Sequence, residues 1–298
     1  MNKTEQPLPE VYVDYLEYRN QTNGERYKQT QEIKRVISRL HIYLEKIQVR
    51  VEKLGIEHVD GFLAELSLPY ALSTRYLHRS YLRGFLGYLY HQRGILKRDL
   101  APLVTGPPLY GQSRPPSFLR PKEIKKLFKA VQLSTSRGIR TYAMLHLAYT
   151  LGLRPREISL ITLDDIEFTH KRISLRKRKA DNPIVLPLTE STTKALVAYI
   201  IGARPDSDQR ALFLTARKSY KPITANCVSR DITLIMKKAG LNGTSYWLRH
   251  TYAQNILESG GSIYEVKEMM GHDRIQSAES YLHIHIKMMR EVLFNETV

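Results

Sequence analysis

One tract narrows what this chain can fold into more than any other: Val104 to Pro116 (VTGPPLYGQSRPP) places four prolines and two glycines within thirteen residues. Proline removes a backbone donor and fixes φ, while glycine resists no conformation, so the tract suits neither helix nor strand and reads as an exposed connector. Two units are therefore expected, 1–112 and 113–298, and the chain of 298 residues is long enough for each to bury its own core.

Ahead of the connector, Ile33, Val36, Ile37, Leu40, Leu44 and Ile47 recur at helical spacing and mark one face of a long amphipathic helix. Arg79 to Arg93 (RSYLRGFLGYLYHQR) is aromatic-rich, with arginines between the apolar positions, as in a helix with a core face and a phosphate face. After the connector, PKEIKKLFKAV opens a helix with Pro121 in its first turn and its lysines facing water. Between Asp165 and Leu188 the period shortens to two over DIEF, RISLRK and PIVLPL, which predicts three antiparallel strands. Helices resume at Thr189 and are expected over Ile223–Ala239, Thr244–Glu258 and Ser262–Met270. The last begins with a Ser262/Glu265 capping box and stops at Gly271. The fold class is mainly α with a small antiparallel β-sheet.

Charge narrows the partner. There are 46 Lys+Arg against 29 Asp+Glu, a net +17, which suits a polyanion; nucleic acid is the first candidate and anionic membrane its rival. No apolar run approaches the roughly 18 residues a spanning helix needs, and the N-terminus lacks a signal-peptide pattern, so a soluble cytoplasmic protein associated with the nucleoid is expected. The single cysteine, Cys227, excludes an internal disulfide and any cysteine-based zinc site.

Four segments of the second unit carry candidate chemistry: Gly152-Leu-Arg-Pro-Arg-Glu157, Arg176-Lys-Arg-Lys179, Tyr246-Trp-Leu-Arg-His250, and Gly271-His272 followed by Tyr281. A phosphodiester under attack gains negative charge on its non-bridging oxygens, and the planar, always charged guanidinium groups of Arg154 and Arg249 match that charge. A tyrosine hydroxyl attacks at neutral pH only where neighbouring cations favour its oxyanion. A departing sugar oxygen needs a proton, which a hairpin lysine such as Lys179 can supply. His272 lies nine residues before Tyr281, close enough for a helix end and a turn to bring both to one phosphate. No metal is required by this set.

These motifs resemble the tyrosine recombinase and integrase family, which includes phage lambda integrase, Cre and the Xer recombinases. Gly152-Leu153-Arg154 with Glu157 resembles the family's first arginine motif, Leu248-Arg249-His250-Thr251 its second, and Gly271-His272 with Tyr281-Leu282-His283 its nucleophile segment. Lys179, eight residues before Pro187, resembles the hairpin lysine, with Lys177 the alternative. Tyr81 to Leu89 resembles the helix of the core-binding domain that faces DNA, where Arg79 and Arg83 are the expected contacts; Arg176, Lys177 and Arg178 are expected to touch phosphate without sequence preference. Two positions depart from the pattern: Tyr246 stands where the family usually has histidine, and Ala278 where many relatives have threonine.

The resemblance implies a helical core-binding domain over 1–112 and a catalytic domain over 113–298, forming a clamp around duplex DNA. It implies a 3′-phosphotyrosyl intermediate on Tyr281, a Holliday junction, and a homotetramer, with an accessory protein an open question. Neither ATP, metal nor another cofactor is expected. With no evident arm-binding domain ahead of the first unit, a simple recombinase is expected rather than a larger phage integrase. Taken singly, each residue also has a plain structural role. Arg154 can pair with Glu157, which is read as a structural acid; His250 can line the site wall; His272 can cap a helix. Tyr246 divides between packing and phosphate contact. Ile286, Met289, Val292 and Leu293 share a side of a C-terminal helix that packs on its own domain or on a neighbouring protomer. The rivals are a type IB topoisomerase and a DNA-binding protein without catalysis.

Overall fold

The computed structural model describes residues 9–23, 30–106, 117–176 and 183–270. The chain divides into two compact units, Met1–Gln112 and Ser113–Val298.

In the first unit, α1 (Glu10–Asn23), α2 (Thr30–Lys46), α3 (Ile56–Ser67) and α4 (Leu72–Gly87) surround one core. Ile33, Val36, Ile37, Leu40 and Leu44 of α2 are all buried, as their spacing demands, against Phe62 and Leu63 of α3 and Leu82, Phe85 and Leu86 of α4. Tyr12 and Tyr15 of α1 each lie 5.1 Å from the Phe85 ring. A side chain at Gly84 would collide with the Tyr15 hydroxyl, at 2.8 Å, so glycine allows α1 to close on α4.

Two sequence expectations need correction here. The helix expected over Arg79–Arg93 starts earlier, at Leu72, and its α-helical part ends at Gly87. Tyr88–Gln92 then form a π-helical turn in which Arg93 N–H reaches back five residues to the Tyr88 carbonyl. The connector also starts later than Val104: this residue is buried in the first core after a short 3₁₀ turn, Ala101–Leu103. Burying a valine side chain stabilises by roughly 1.5–3 kcal/mol, more than a connector position can offer it. Residues 107–116 lie outside the described residues.

The second unit comprises α5 (Pro121–Lys129), α6 (Ser136–Thr150), α7 (Pro155–Leu160), β1 (Ile166–Glu167), β2 (Arg172–Leu175), β3 (Ile184–Pro187), α8 (Glu190–Gly202), α9 (Ala225–Lys238), α10 (Ser245–Glu258) and α11 (Ile263–Met270). The sheet is antiparallel in the order β1-β2-β3. Ile173 pairs with Ile166 on one side and Leu186 on the other, which places three buried residues on one face. Met144, Leu145 and Leu147 put α6 at the centre of the core. Thr135, Thr189 and Thr224 cap α6, α8 and α9, each hydroxyl accepting a backbone N–H from the first turn.

Asp231 of α9, nearly inaccessible, accepts from Arg137 at 2.6 Å and Arg140 at 2.7 Å, and Arg140 also donates to the Leu214 carbonyl at 2.6 Å. Burial raises the Asp231 pKa, but the two arginine hydrogen bonds outweigh it and hold the carboxyl below its usual value. Among the described residues no helix is long and apolar enough to cross a membrane.

Candidate active site

The site is built on a sharp turn between α6 and α7. Gly152 has φ +60, and a Cβ there would meet the Tyr252 ring at 2.3 Å, so both backbone conformation and packing require glycine. Leu151 and Leu153 on either side are buried and fix the turn to the core. Arg154 follows as the N-cap of α7, with Pro155 at the first helical position. Glu157, three residues on, reaches back with both carboxylate oxygens: Oε2 accepts the Arg154 N–H at 2.7 Å and Oε1 accepts its Nη1 at 3.0 Å. One carboxylate thus caps the helix and holds the arginine that precedes it.

The second arginine comes from α10. Leu248 is fully buried and Arg249 is 4% exposed. Arg249 Nη1 donates to the Gly152 carbonyl at 2.5 Å, and its Nη2 donates to the Met270 carbonyl at the end of α11. Nη1 also lies 3.7 Å from Glu157 Oε2. Two guanidinium groups therefore converge on one buried carboxylate, and the three groups together carry a formal charge of +1. Thr251 ties the helix in place, its hydroxyl donating to the Trp247 carbonyl and accepting the Leu119 N–H, each at 2.8 Å. Burial, reinforced by the neighbouring Arg249, lowers the His250 pKa to about 4, so its ring is neutral at pH 7.

Tyr246, three residues before Arg249 on the same side of α10, is 49% exposed and so is not consumed by packing. Arg176 follows β2, exposed, with Nε 3.5 Å from Asp165 Oδ1. A cleft of about 230 Å³ runs between Glu157 and Arg176, lined also by Asp164, Asp165 and Leu175. Leu175 of β2 pairs with Ile184 of β3, and Lys177, Arg178 and Lys179 fall between the two strands in sequence. These three residues lie outside the described residues, as do Gly271, His272, Tyr281, His283 and the C-terminal stretch from Ile286. In the first unit, Arg79 is half-buried against Gly106 with its Nε enclosed and unbonded, and Arg83 lies over the Tyr76 ring at 5.8 Å.

The structure thus brings together Arg154, Glu157 and Arg249, with His250 next to Arg249 on α10. Sequence reasoning missed the partners that hold Arg249, the carbonyls of Gly152 and Met270. A glycine before Leu-Arg could have signalled the positive φ, but nothing in a sequence marks one carbonyl as an acceptor. Among the described residues no cluster of histidine, cysteine and carboxylate side chains could hold a metal.

Comparison with known proteins gives this arrangement a context. A Sinorhizobium fredii protein named as an integrase/recombinase is 31% identical over 81% of this chain, which spans 58% of that relative's length. Tyrosine recombinase XerC of Bacillus pumilus is 27% identical, covering 84% of this chain and 87% of its own. The solved structure of XerH site-specific recombinase, bound to a palindromic difH substrate, has the same fold, with a TM-score of 0.77, 14% identity and coverage of 98% of this chain and 99% of that one. The phage integrase family matches residues 117–288, more than half of the sequence and all of the arginine site. This chain therefore belongs to the phage integrase family of tyrosine recombinases.

Proposed function

We propose that the chain is a site-specific recombinase in which Tyr281 attacks a DNA phosphate. The attack forms a 3′-phosphotyrosyl bond and breaks the bond to the 5′ oxygen, which leaves with a proton as a free hydroxyl. A 5′ hydroxyl from a second duplex then reverses the step and releases Tyr281. One phosphoester replaces another at each step, so the balance needs no ATP.

The observation that carries this reading is the convergence of Arg154 and Arg249 on Glu157. Guanidinium groups held in advance stabilise the charge that develops on the phosphate without reorganising during the reaction. Lys179, or in its place Lys177, donates the proton to the leaving oxygen. His272 hydrogen-bonds the phosphate, and Tyr246 does so where relatives use histidine. A tyrosine hydroxyl donates well but is a far weaker base at neutral pH, so Tyr246 acts as a donor and not as a base.

The names of the relatives, recombinase and integrase, favour strand exchange over the relaxation of supercoils. Exchange between two duplexes needs four active sites, hence a homotetramer on DNA. Units 1–112 and 113–298 serve as core-binding and catalytic domains, with Arg79, Arg83 and Arg176–Arg178 on phosphates.

The test is trapping on a nicked suicide substrate from the native locus, without metal, comparing wild type with Tyr281→Phe on a denaturing gel. A covalent adduct with wild type alone is expected. Specific binding with no adduct from either protein would replace the enzyme reading with that of a DNA-binding protein.

A further inference from the structure

A second positive surface lies outside the arginine site. On α5, Lys122, Lys125, Lys126 and Lys129 follow the i, i+3, i+4, i+7 spacing of a single stripe, and all four are exposed. The opposite side of the same helix places Ile124 and Leu127 in the core that also holds Leu153 and Leu248, the neighbours of the two arginines. Lys237 and Lys238, exposed in the last turn of α9, extend the positive surface. Lys126 links the two: its ammonium lies 3.2 Å from where a Cβ on Gly240 would be, just past the end of α9. None of the six lysines has an ion-pair partner among the described residues.

Helix dipoles account for only part of this. Lys126, Lys129, Lys237 and Lys238 sit in last turns, where the negative end of the dipole favours cations. Lys122 sits in the first turn of α5, where the dipole disfavours it, and Lys125 sits at mid-helix, where the dipole gives it no support. Lys122 with Lys126, and Lys125 with Lys129, are also like-charge i, i+4 pairs, which weaken a helix. A folded chain keeps such a surface at a cost to itself, and an external polyanion would offset that cost.

The geometry points to a duplex DNA backbone as the occupant of this α5–α9 face, in contact with a stretch of DNA other than the phosphate held by the arginine pair. The chemistry selects among polyanions. Lysine presents a point charge and reads no base or planar group, as sequence-independent backbone contact requires. Among the described residues neither α5 nor α9 exposes an aromatic side chain, which removes the stacking platform that single strands use, and Leu234 of α9 is the one large apolar side chain exposed on the two helices, against six lysines. The stripe rises about 10 Å along the helix, a length that passes several duplex phosphates.

This inference rests on the reading that the chain acts on duplex DNA, and the experiment separates the two. Binding of the full chain to a fluorescent random-sequence duplex is measured as a function of NaCl for wild type and for K122Q/K125Q/K126Q/K129Q. A control, K53Q/K97Q/K171Q/K194Q, removes the same charge from elsewhere, and thermal melts check that all three fold. Each phosphate contact contributes about 0.9 to the slope of log affinity against log salt. The stripe variant should lose about 2 to 4 units of slope and at least tenfold in affinity at low salt, while the control stays near wild type.

An unchanged slope in the stripe variant overturns the inference and leaves an acidic protein as the partner of this face. An equal loss in both variants also overturns it, because net charge alone would then explain the binding. Failure of the wild type to bind the duplex at all would defeat the functional reading itself.

Discussion

Glu157 concentrates more of the site's physics than any other described side chain, because it accepts from Arg154 twice and stands close to Arg249. Removing one partner of a buried ion pair typically costs about 3–5 kcal/mol, since the charge left behind is neither solvated nor paired. Glu157→Ala is therefore expected to lower unfolding stability by about that amount in urea and to abolish adduct formation. Glu157→Gln, which keeps an acceptor but loses the charge, should fall between Glu157→Ala and wild type; stability equal to wild type would show that the charge contributes nothing. The pairing of Arg154 with Glu157 was legible in the sequence, since a spacing of three at a helix start is a capping pattern. The burial of Arg249 was not, because its acceptors are backbone carbonyls.

His146 presents the opposite case, a buried group with no hydrogen-bond partner among the described residues. Both of its ring nitrogens are enclosed and unbonded beside Phe128 and Tyr142, and burial lowers its pKa to about 4. The unfolded chain therefore takes up this proton first as pH falls. The stability is intact above about pH 6.5, declines between there and pH 4, and the loss approaches roughly 3 kcal/mol. His146→Leu should roughly halve that part of a stability-against-pH curve measured by urea unfolding, because His250, also lowered to about 4, acts in the same window. An unchanged curve would mean that another group drives the decline.

Among the elements, the α6–α7 turn depends on one residue. Gly152→Ala would force a side chain into left-handed backbone, at about 1–2 kcal/mol, and into the Tyr252 ring. A thermal melt should show a loss above that range, partly recovered when Tyr252→Ala is added; no recovery would mean that backbone strain alone sets the cost. The elements whose burial is one-sided were readable from periodicity: α2, α5, α9 and the paired strands. The α10 helix buries Leu248, Arg249, Thr251, Ala253, Gln254 and Leu257 around much of its circumference, so its apolar pattern is blurred and its motif located it instead. The π-helical end of α4 was hidden because Tyr15, distant in sequence, packs there against Tyr88 and beside Gly84. Val104 was misread for a related reason, since a local run of prolines says nothing of a core waiting beside it.

For the whole molecule, the main consequence is that the two units have separate cores, Leu40 and Phe85 belonging to one and Met144 and Leu248 to the other. A fragment spanning Ser113–Val298 should then fold alone with a single cooperative melt, and bind duplex DNA with a shallower salt dependence than the full chain. A fragment that melts without cooperativity would show that the second core needs the first. The boundary was legible because proline and glycine act locally; the arginine site was legible as a set of residues but not as an arrangement.

Arg249 adds a further consequence that concerns order of assembly. It fastens carbonyls from positions 97 residues earlier and 21 later. Contacts of such long sequence separation pay their loop-closure entropy before they gain anything, so they form late when a chain folds. Chemical competence is therefore among the last properties this domain acquires. A chain that has formed its helices and much of its core can therefore still have its arginine pair apart.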